Sequence, residues 1–433
     1  MKSFFKKIPG SITAPMGFLA SGVFCDIKRL GTGKGSNKGK KRDLGLILSE
    51  VPAKSAGLFT TNQVVAAPVK VSLSRASRGM GQAVVVNSGN ANACTGAQGL
   101  RDAERMTEIA AAELGLLDRD VFVGSTGRIG MMLPMKNVES GIASAASVLS
   151  STRQAARDFV EAIMTSDTRP KEVAAEFVCS GRKARIGGVC KGAGMIQPGM
   201  SFTGQRPAAV PLHATMLCFL TSDVEIDGAI LKQALGAAVA QSFNCITVDG
   251  DMSTNDTVLI LANGMAGNSV IGDLAGADGK AFQAALNFVT LELAKMIVRD
   301  GEGVSRFITV RVDGAETFGD ADAAARAVAN SALVKTSWCG GDPNWGRILD
   351  ALGYSTARVV EERIDVGYSK PGGARVLSAV KNGRPSKTAL SSLKQIVNAR
   401  EFDLHINLNL GRSSATIYTA DLTEEYVDFN KGE

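Results

Sequence analysis

Five stretches concentrate Gly, Ser, Thr, Asn and Asp where a strand should end. They are NSGNANACTG (87–96), GSTGRIG (124–130), GGVCKGAGMI (187–196), NCITVDGDMSTND (244–256) and IVRDGEG (297–303). Small residues at such points let backbone amides approach an oxygen closely, as stabilisation of an oxyanion requires. Each stretch alone is also the ordinary make-up of a turn. A sixth stretch, PLHATMLCFLTSD (211–223), sets Thr215 at the head of an apolar run. Thr215 there is either a plain strand start or a nucleophile that first cuts its own chain and then works on a substrate. A Thr hydroxyl needs a base to become a nucleophile. The chain has only two His, His213 and His405, so a Ser-His-Asp hydrolase or a zinc enzyme is hard to build.

The elements that must position these loops alternate along the chain. AVVVNSG (83–89) and VFVGSTG (121–127) read as buried strands running into tight turns. Between them, 102–115 carries Met106, Ile109, Ala110 and Leu114 at helical spacing, and 281–299 carries a longer apolar stripe ended by Arg299 and Gly301. Further helices fit 227–241 and 320–332. LHINLNLGRSSATIYTADL (404–422) alternates on both sides of Gly411, which predicts a hairpin. The natural division falls around 201–214, where two Pro interrupt the periodicity.

Composition narrows the class. With 433 residues, 45% hydrophobic, 21% charged and 48 Gly, the chain fits a large α/β globular protein with two lobes. No apolar run approaches a bilayer's thickness, and no apolar stretch follows the charged start MKSFFKKIPGSITAP, so neither a membrane span nor a signal peptide is expected. A cytoplasmic protein is. The net charge of +6 is partly local to Lys34, Lys38, Lys40, Lys41 and Arg42. That stretch lacks both interleaved aromatics and phosphate-loop spacing, so it reads as a solvated loop and not as a nucleic-acid site. The seven Cys show no C-x-x-C pair and read as buried reduced thiols, neither a disulfide frame nor a metal site.

Taken together the loops resemble one family closely. Along with ITAPMGFLASGV (12–23), AGLFTTNQVVAAPV (56–69), ANSALVKTSWCGGDPNWGRIL (329–349) and TADLTEEYV (419–427), they are similar to the arginine biosynthesis bifunctional protein family, glutamate N-acetyltransferase or ornithine acetyltransferase. The resemblance covers nearly the whole chain. It implies an N-terminal-nucleophile-type fold of layered α-β-β-α order with a smaller C-terminal α/β lobe. It further implies self-cleavage at Ala214–Thr215, giving an alpha chain of 1–214 and a beta chain of 215–433 that stay together as α2β2.

What the family does carries over residue by residue. Thr215 is then the nucleophile. Once it is a first residue, its own α-amine, with a reference pKa of about 7.7–8.0, can take the hydroxyl proton. Thr126 and Gly127 form the oxyanion hole, and Thr165, Lys191, Thr215, Glu302 and Asn430 bind substrate. The implied reaction is ping-pong transfer of an acetyl group from N-acetylornithine to glutamate, with no metal and no organic cofactor; some members also use acetyl-CoA as co-substrate. A related amidase or aminopeptidase that releases the acyl group to water, and an inactive homologue, are the competing readings.

Three places depart from the family pattern. SFTGQRPAAVPLH (201–213) intervenes just before the scissile bond. Arg128 stands where an apolar residue is usual and is expected to point to solvent, and Ser166 replaces a second Thr. The tail stops at FNKGE, so Asn430 matches but the last polar contact of the family's tail is missing.

Overall fold

The computed structural model describes residues 4–30, 41–205 and 216–431. Lys34, Lys38, Lys40, His213, Ala214 and Thr215 lie outside them. Ten strands form one hydrogen-bonded sheet: β1 (Phe5–Ile8), β2 (Phe18–Val23), β3 (Leu44–Thr60), β4 (Met80–Asn90), β5 (Val121–Arg128), β6 (Lys171–Cys179), β7 (Arg182–Lys191), β8 (Met200–Ser201), β9 (Leu217–Ser222) and β10 (Thr257–Ala262). Their order is β1-β6-β7-β9-β10-β3-β4-β5, with β2 and β8 also paired to β3.

The sheet folds over on itself through β3, a 17-residue strand whose register against β4 shifts between Leu48 and Ala53. Side-chain alternation shows the result. In β9, Cys218 and Leu220 enter one core while Leu217 and Phe219 enter another; in β4, Val84 and Val86 share that second core while Ala83 and Val85 enter a third. The first core is covered by the helices Gly228–Ala240 and Ala277–Arg299. The third is covered by Ala67–Ala76, Gly96–Leu114 and Met135–Ser147. Between them two sheet layers face each other directly, with Phe159 and Val160 of the helix Arg153–Ile163 packed into the same middle core. Strands apolar on both faces are what such a middle position demands. The layering is therefore α-β-β-α.

A second sheet, β11 (Phe307–Ala315), β12 (Asp365–Ser369), β13 (Leu377–Lys381), β14 (Arg384–Pro385), β15 (Glu401–Asn407) and β16 (Ser413–Ala420), has its own core around Trp338, Tyr368 and Phe402. This is the smaller C-terminal lobe. Its order, β14-β13-β12-β15-β11-β16, corrects the expected hairpin: β11 lies between β15 and β16, parallel to the first and antiparallel to the second. The turn at Gly411 instead spans the end of β11, where the amides of Leu410 and Gly411 donate to Gly314 O at 2.7 and 2.8 Å. Alternation identifies both strands but carries no information on which neighbour each takes. The stretch 201–214 does not separate two cores, since β7 and β9 on either side of it are antiparallel partners.

Helix positions follow the periodicity, with boundary differences that have local causes. The helix expected from 102 starts at Gly96, because Gly96 and Gly99 in its first turn read as loop residues. The helix expected to reach 332 stops at Asn330, and Ser331 caps a new helix, Ala332–Cys339, by accepting from Val334 N. Helix Ala277–Arg299 is long and apolar enough to cross a bilayer by length and composition. Its apolar stripe, Phe282, Leu286, Val289, Leu293, Ile297 and Val298, is buried against the sheet, so the helix belongs to the core. The Cys expectation holds only in part. All seven are free, but Cys25, Cys245 and Cys339 are half-buried and Cys94 is exposed on a left-handed turn, because flanking small residues mark loops as well as cores.

Candidate active site

A cavity of about 670 Å³ opens where the strand ends converge, lined by residues from all five loops and from the C-terminal helix Glu424–Asn430. Two glycines make the convergence feasible. β4 and β5 run parallel and bring Gly89 opposite Gly127. Gly127 has φ +132°, and a Cβ there would sit 2.3 Å from Gly89 C and 2.5 Å from Asn90 N. Gly89, with φ +98°, backs in turn onto the Lys28 backbone. Only glycine permits this backbone-on-backbone approach. Polar side chains lock the crossing: Asn255 Nδ2 donates to Ala91 O at 2.7 Å and to Ser125 O at 2.8 Å, and Ser125 Oγ donates to Asn87 Oδ1 at 2.6 Å.

Charge is distributed around that frame. Lys191, at the end of β7, is buried, and its Nζ donates to Thr126 Oγ1 at 3.2 Å. Burial lowers its pKa, an effect opposed by Asp167 and, more weakly, by Glu302 and Asp256. Glu302 is half-buried. Its amide donates to Ala193 O at 2.9 Å, and its carboxylate lies so close to Gly194 that a Cβ there would be 2.4 Å from Oε2. Asn430 Nδ2 donates to Glu302 Oε2 at 3.2 Å and to Tyr426 O at 2.9 Å. The adjoining loop is held by Asp249, which accepts from Met195 N at 2.6 Å and Ile196 N at 2.8 Å. Burial raises the pKa of Asp249 against those bonds, and burial with Asp249 nearby raises that of the Tyr426 phenol.

Six of the expected site residues line this one cavity: Thr126, Gly127, Thr165, Lys191, Glu302 and Asn430. Ala214 and Thr215 lie outside the described residues. The residue that follows them, Met216, donates its amide to Asp256 Oδ1 at 2.5 Å, and Asp256 is fully buried. Its carboxyl is raised well above the usual range by burial, despite that bond and the Lys191 charge. Arg128, expected in solvent, is half-buried and lines the cavity, because its carbonyl is tied to Ala91 N at 2.9 Å. Ser166 lines it too. Lys28, Asn255 and Tyr426 also line it and were not singled out by the sequence reading. Asn255 sat within a loop already marked by its composition, and Tyr426 within TADLTEEYV (419–427), one of the stretches that carry the resemblance; Lys28 has no local signal. Lys28 is buried and its pKa is pushed down to about 8 by that burial. Among the described residues no cluster of His, Cys, Asp and Glu could hold a metal ion. An ammonium, a carboxylate and glycine-edged backbone in one cavity suit a small zwitterion bearing an acyl group.

Residues 26–432 match the ArgJ family. The arginine biosynthesis bifunctional protein ArgJ of Symbiobacterium thermophilum is 45% identical, covering 98% of this chain and 98% of its own. The glutamate N-acetyltransferase of Methanocaldococcus jannaschii is 41% identical over the same shares of both chains. Among solved structures, ornithine acetyltransferase complexed with ornithine from Mycobacterium tuberculosis is 36% identical, covering 46% of this chain and 100% of that one, with a TM-score of 0.41. Matched almost end to end, this chain belongs to the ArgJ family of arginine-biosynthesis enzymes.

Proposed function

We propose that this enzyme cleaves itself at Ala214–Thr215 and then moves an acetyl group from N-acetylornithine to glutamate through an acetyl-Thr215 intermediate. The single observation that carries the reading is the meeting of Thr126, Gly127, Thr165, Lys191, Glu302 and Asn430 in one cavity. In the precursor, Thr215 Oγ attacks the Ala214 carbonyl, the acyl group shifts from nitrogen to oxygen, and water opens the ester. The freed α-amine then serves as base. Thr215 Oγ attacks the acetyl carbonyl of N-acetylornithine while its proton passes to that amine. Thr126 and Gly127 stabilise the oxyanion, at about 3 kcal/mol per donor by the scale of acyl-transfer enzymes. The C–N bond breaks, the amine returns the proton to the leaving nitrogen, and ornithine departs. Glutamate's amine attacks the acetyl ester and Thr215 regains its proton. Lys191 holds substrate carboxylate, Glu302 holds the amino group of ornithine, and Thr165 and Asn430 complete the contacts. The chains 1–214 and 215–433 work as α2β2 in the cytoplasm without a metal or organic cofactor.

The test is incubation with N-acetylornithine, with and without glutamate, following N-acetylglutamate and acetate. Glutamate-dependent acetylglutamate is expected; acetate release indifferent to glutamate would make the protein an amidase. On a denaturing gel, two fragments of about half length should appear, the second opening Thr-Met-Leu-Cys, and Thr215→Ala should leave one full-length band. An active wild-type enzyme found only as the uncut chain would overturn the mechanism.

A further inference from the structure

Three charges lie behind the cavity without lining it. Lys171 Nζ is 2.6 Å from Asp167 Oδ1 and 2.5 Å from Asp300 Oδ2, and the side chains are 1%, 0% and 6% exposed. Acetyl transfer as described uses none of them. A buried ion cluster is a poor source of stability, since well-packed apolar residues often do as well. What these carboxylates hold is more informative. Asp167 Oδ2 accepts from Thr165 N at 3.0 Å, and Asp167 Oδ1 accepts from Gly192 N at 2.7 Å, the residue after Lys191. Asp300, two residues before Glu302, accepts from Thr168 N at 3.1 Å and Arg169 N at 3.3 Å, and also from Thr168 Oγ1. One buried cluster therefore ties together the three loops that carry Thr165, Lys191 and Glu302.

The charges also balance. Lys171 and Lys191 supply two ammoniums, and Asp167 and Asp300 two carboxylates. Burial works against ionised Asp167, but Lys171, then Lys191, then the Lys171 and Gly192 hydrogen bonds hold its carboxyl well below the usual range. Among the described residues no carboxylate pairs directly with Lys191, whose Nζ bonds only Thr126 Oγ1.

We propose that the Asp167–Lys171–Asp300 triad is a positioning device for the transfer site, rigidly spacing Thr165, Lys191 and Glu302 and giving Lys191 a counter-charge that leaves its donors for substrate. The inference rests on the proposed acetyl transfer. It is tested with Asp167→Asn and Asp300→Asn, and with Asp322→Asn as a control. That control breaks another buried pair, Arg326 Nε to Asp322 Oδ2 at 2.7 Å, in the C-terminal lobe. An amide at 167 presents hydrogens to Lys171, Gly192 N–H or Thr165 N–H, all of them donors, so one tie must go.

Below its melting temperature, each triad variant should raise KM for N-acetylornithine and glutamate tenfold or more. It should also weaken calorimetric binding of ornithine in proportion, with a smaller change in kcat. Asp322→Asn should lower the melting temperature but leave KM within twofold. Folded triad variants with KM and ornithine affinity within twofold of wild type would overturn the triad's role while leaving the transferase reading intact. Equal KM changes in all three variants, or failure of both triad variants to fold while Asp322→Asn folds, would make the triad merely structural. A wild-type protein that neither transfers acetyl nor binds ornithine would overturn both readings together.

Discussion

Gly127→Ala separates backbone approach from ordinary glycine strain. Alanine at φ +132°, a region that side chains essentially never adopt, costs roughly 1–3 kcal/mol by sterics alone. The new Cβ would also lie 2.3 Å from Gly89 C and 2.5 Å from Asn90 N. Carbon atoms rest at about 3.5–4.0 Å from their neighbours, so the strand ends must part by roughly 1 Å. Neither side yields easily: Gly89 is backed by the Lys28 backbone, and Asn255 ties Ala91 to Ser125. A displacement of that size at a reacting centre costs about a hundredfold, the same order as losing one oxyanion donor. Gly130→Ala is the matched comparison. Its φ is +84°, but nothing lies within 4 Å of a Cβ there, so it carries the strain without the collision. Both variants should melt a few degrees low. In the acetyl-transfer assay Gly130→Ala should keep kcat within about threefold of wild type, whereas Gly127→Ala should lose about two orders of magnitude. Its self-cleavage, followed by gel, should slow in parallel. A Gly127→Ala enzyme with the kcat of Gly130→Ala would refute the argument that this backbone crossing shapes the catalytic centre.

Gly194→Ala should push the Glu302 carboxylate out of place, raising KM for N-acetylornithine by about tenfold, or 1.4 kcal/mol, with the melting temperature little changed. Lys191→Met should raise KM for both substrates about 10- to 100-fold, as expected for losing hydrogen bonds to a charged group worth about 1.5–3 kcal/mol; an unchanged KM for glutamate would remove Lys191 from carboxylate binding. Lys335 supplies a pH test. It is buried, its pKa is pushed down to about 8 by that burial against the pull of Asp249 and Asp421, and the unfolded value is 10.5. Between these values the unfolded chain keeps a proton that the folded chain has released, so this lysine makes stability rise with pH, by up to about 1.4 kcal/mol per unit. The melting temperature of wild type minus that of Lys335→Met should therefore climb from pH 8 to 10, and a flat difference would refute the assignment.

How much of this is legible in the residues depends on how far apart the cooperating groups lie. The layered α/β fold and the loops at 87–96, 124–130, 187–196, 244–256 and 297–303 are readable because turn glycines beside β-branched runs are distinctive, and the order of the motifs along the chain points to the family. What the glycines are for is not readable. Gly89 and Gly127 look like turn residues until β4 and β5 are found side by side and parallel. The same limit produces the false hairpin at Gly411, where β11, about a hundred residues earlier in the chain, takes the place between two sequential strands.

The Asp167–Lys171 spacing of four would pass for a solvated helical pair, yet it falls on a turn entering β6, and the second carboxylate comes from Asp300, 129 residues from Lys171. Groups that touch substrate leave a local mark, because the backbone must make room for a ligand there. Groups that hold those loops in register leave none, because a buried charge is recognised only by its distant partner. Substitutions in this second set should therefore be the ones that sequence similarity most often misjudges. Asp167, Lys171, Asp300 and Asn255 sit beside the expected binding residues, and each acts through a neighbour's backbone or charge.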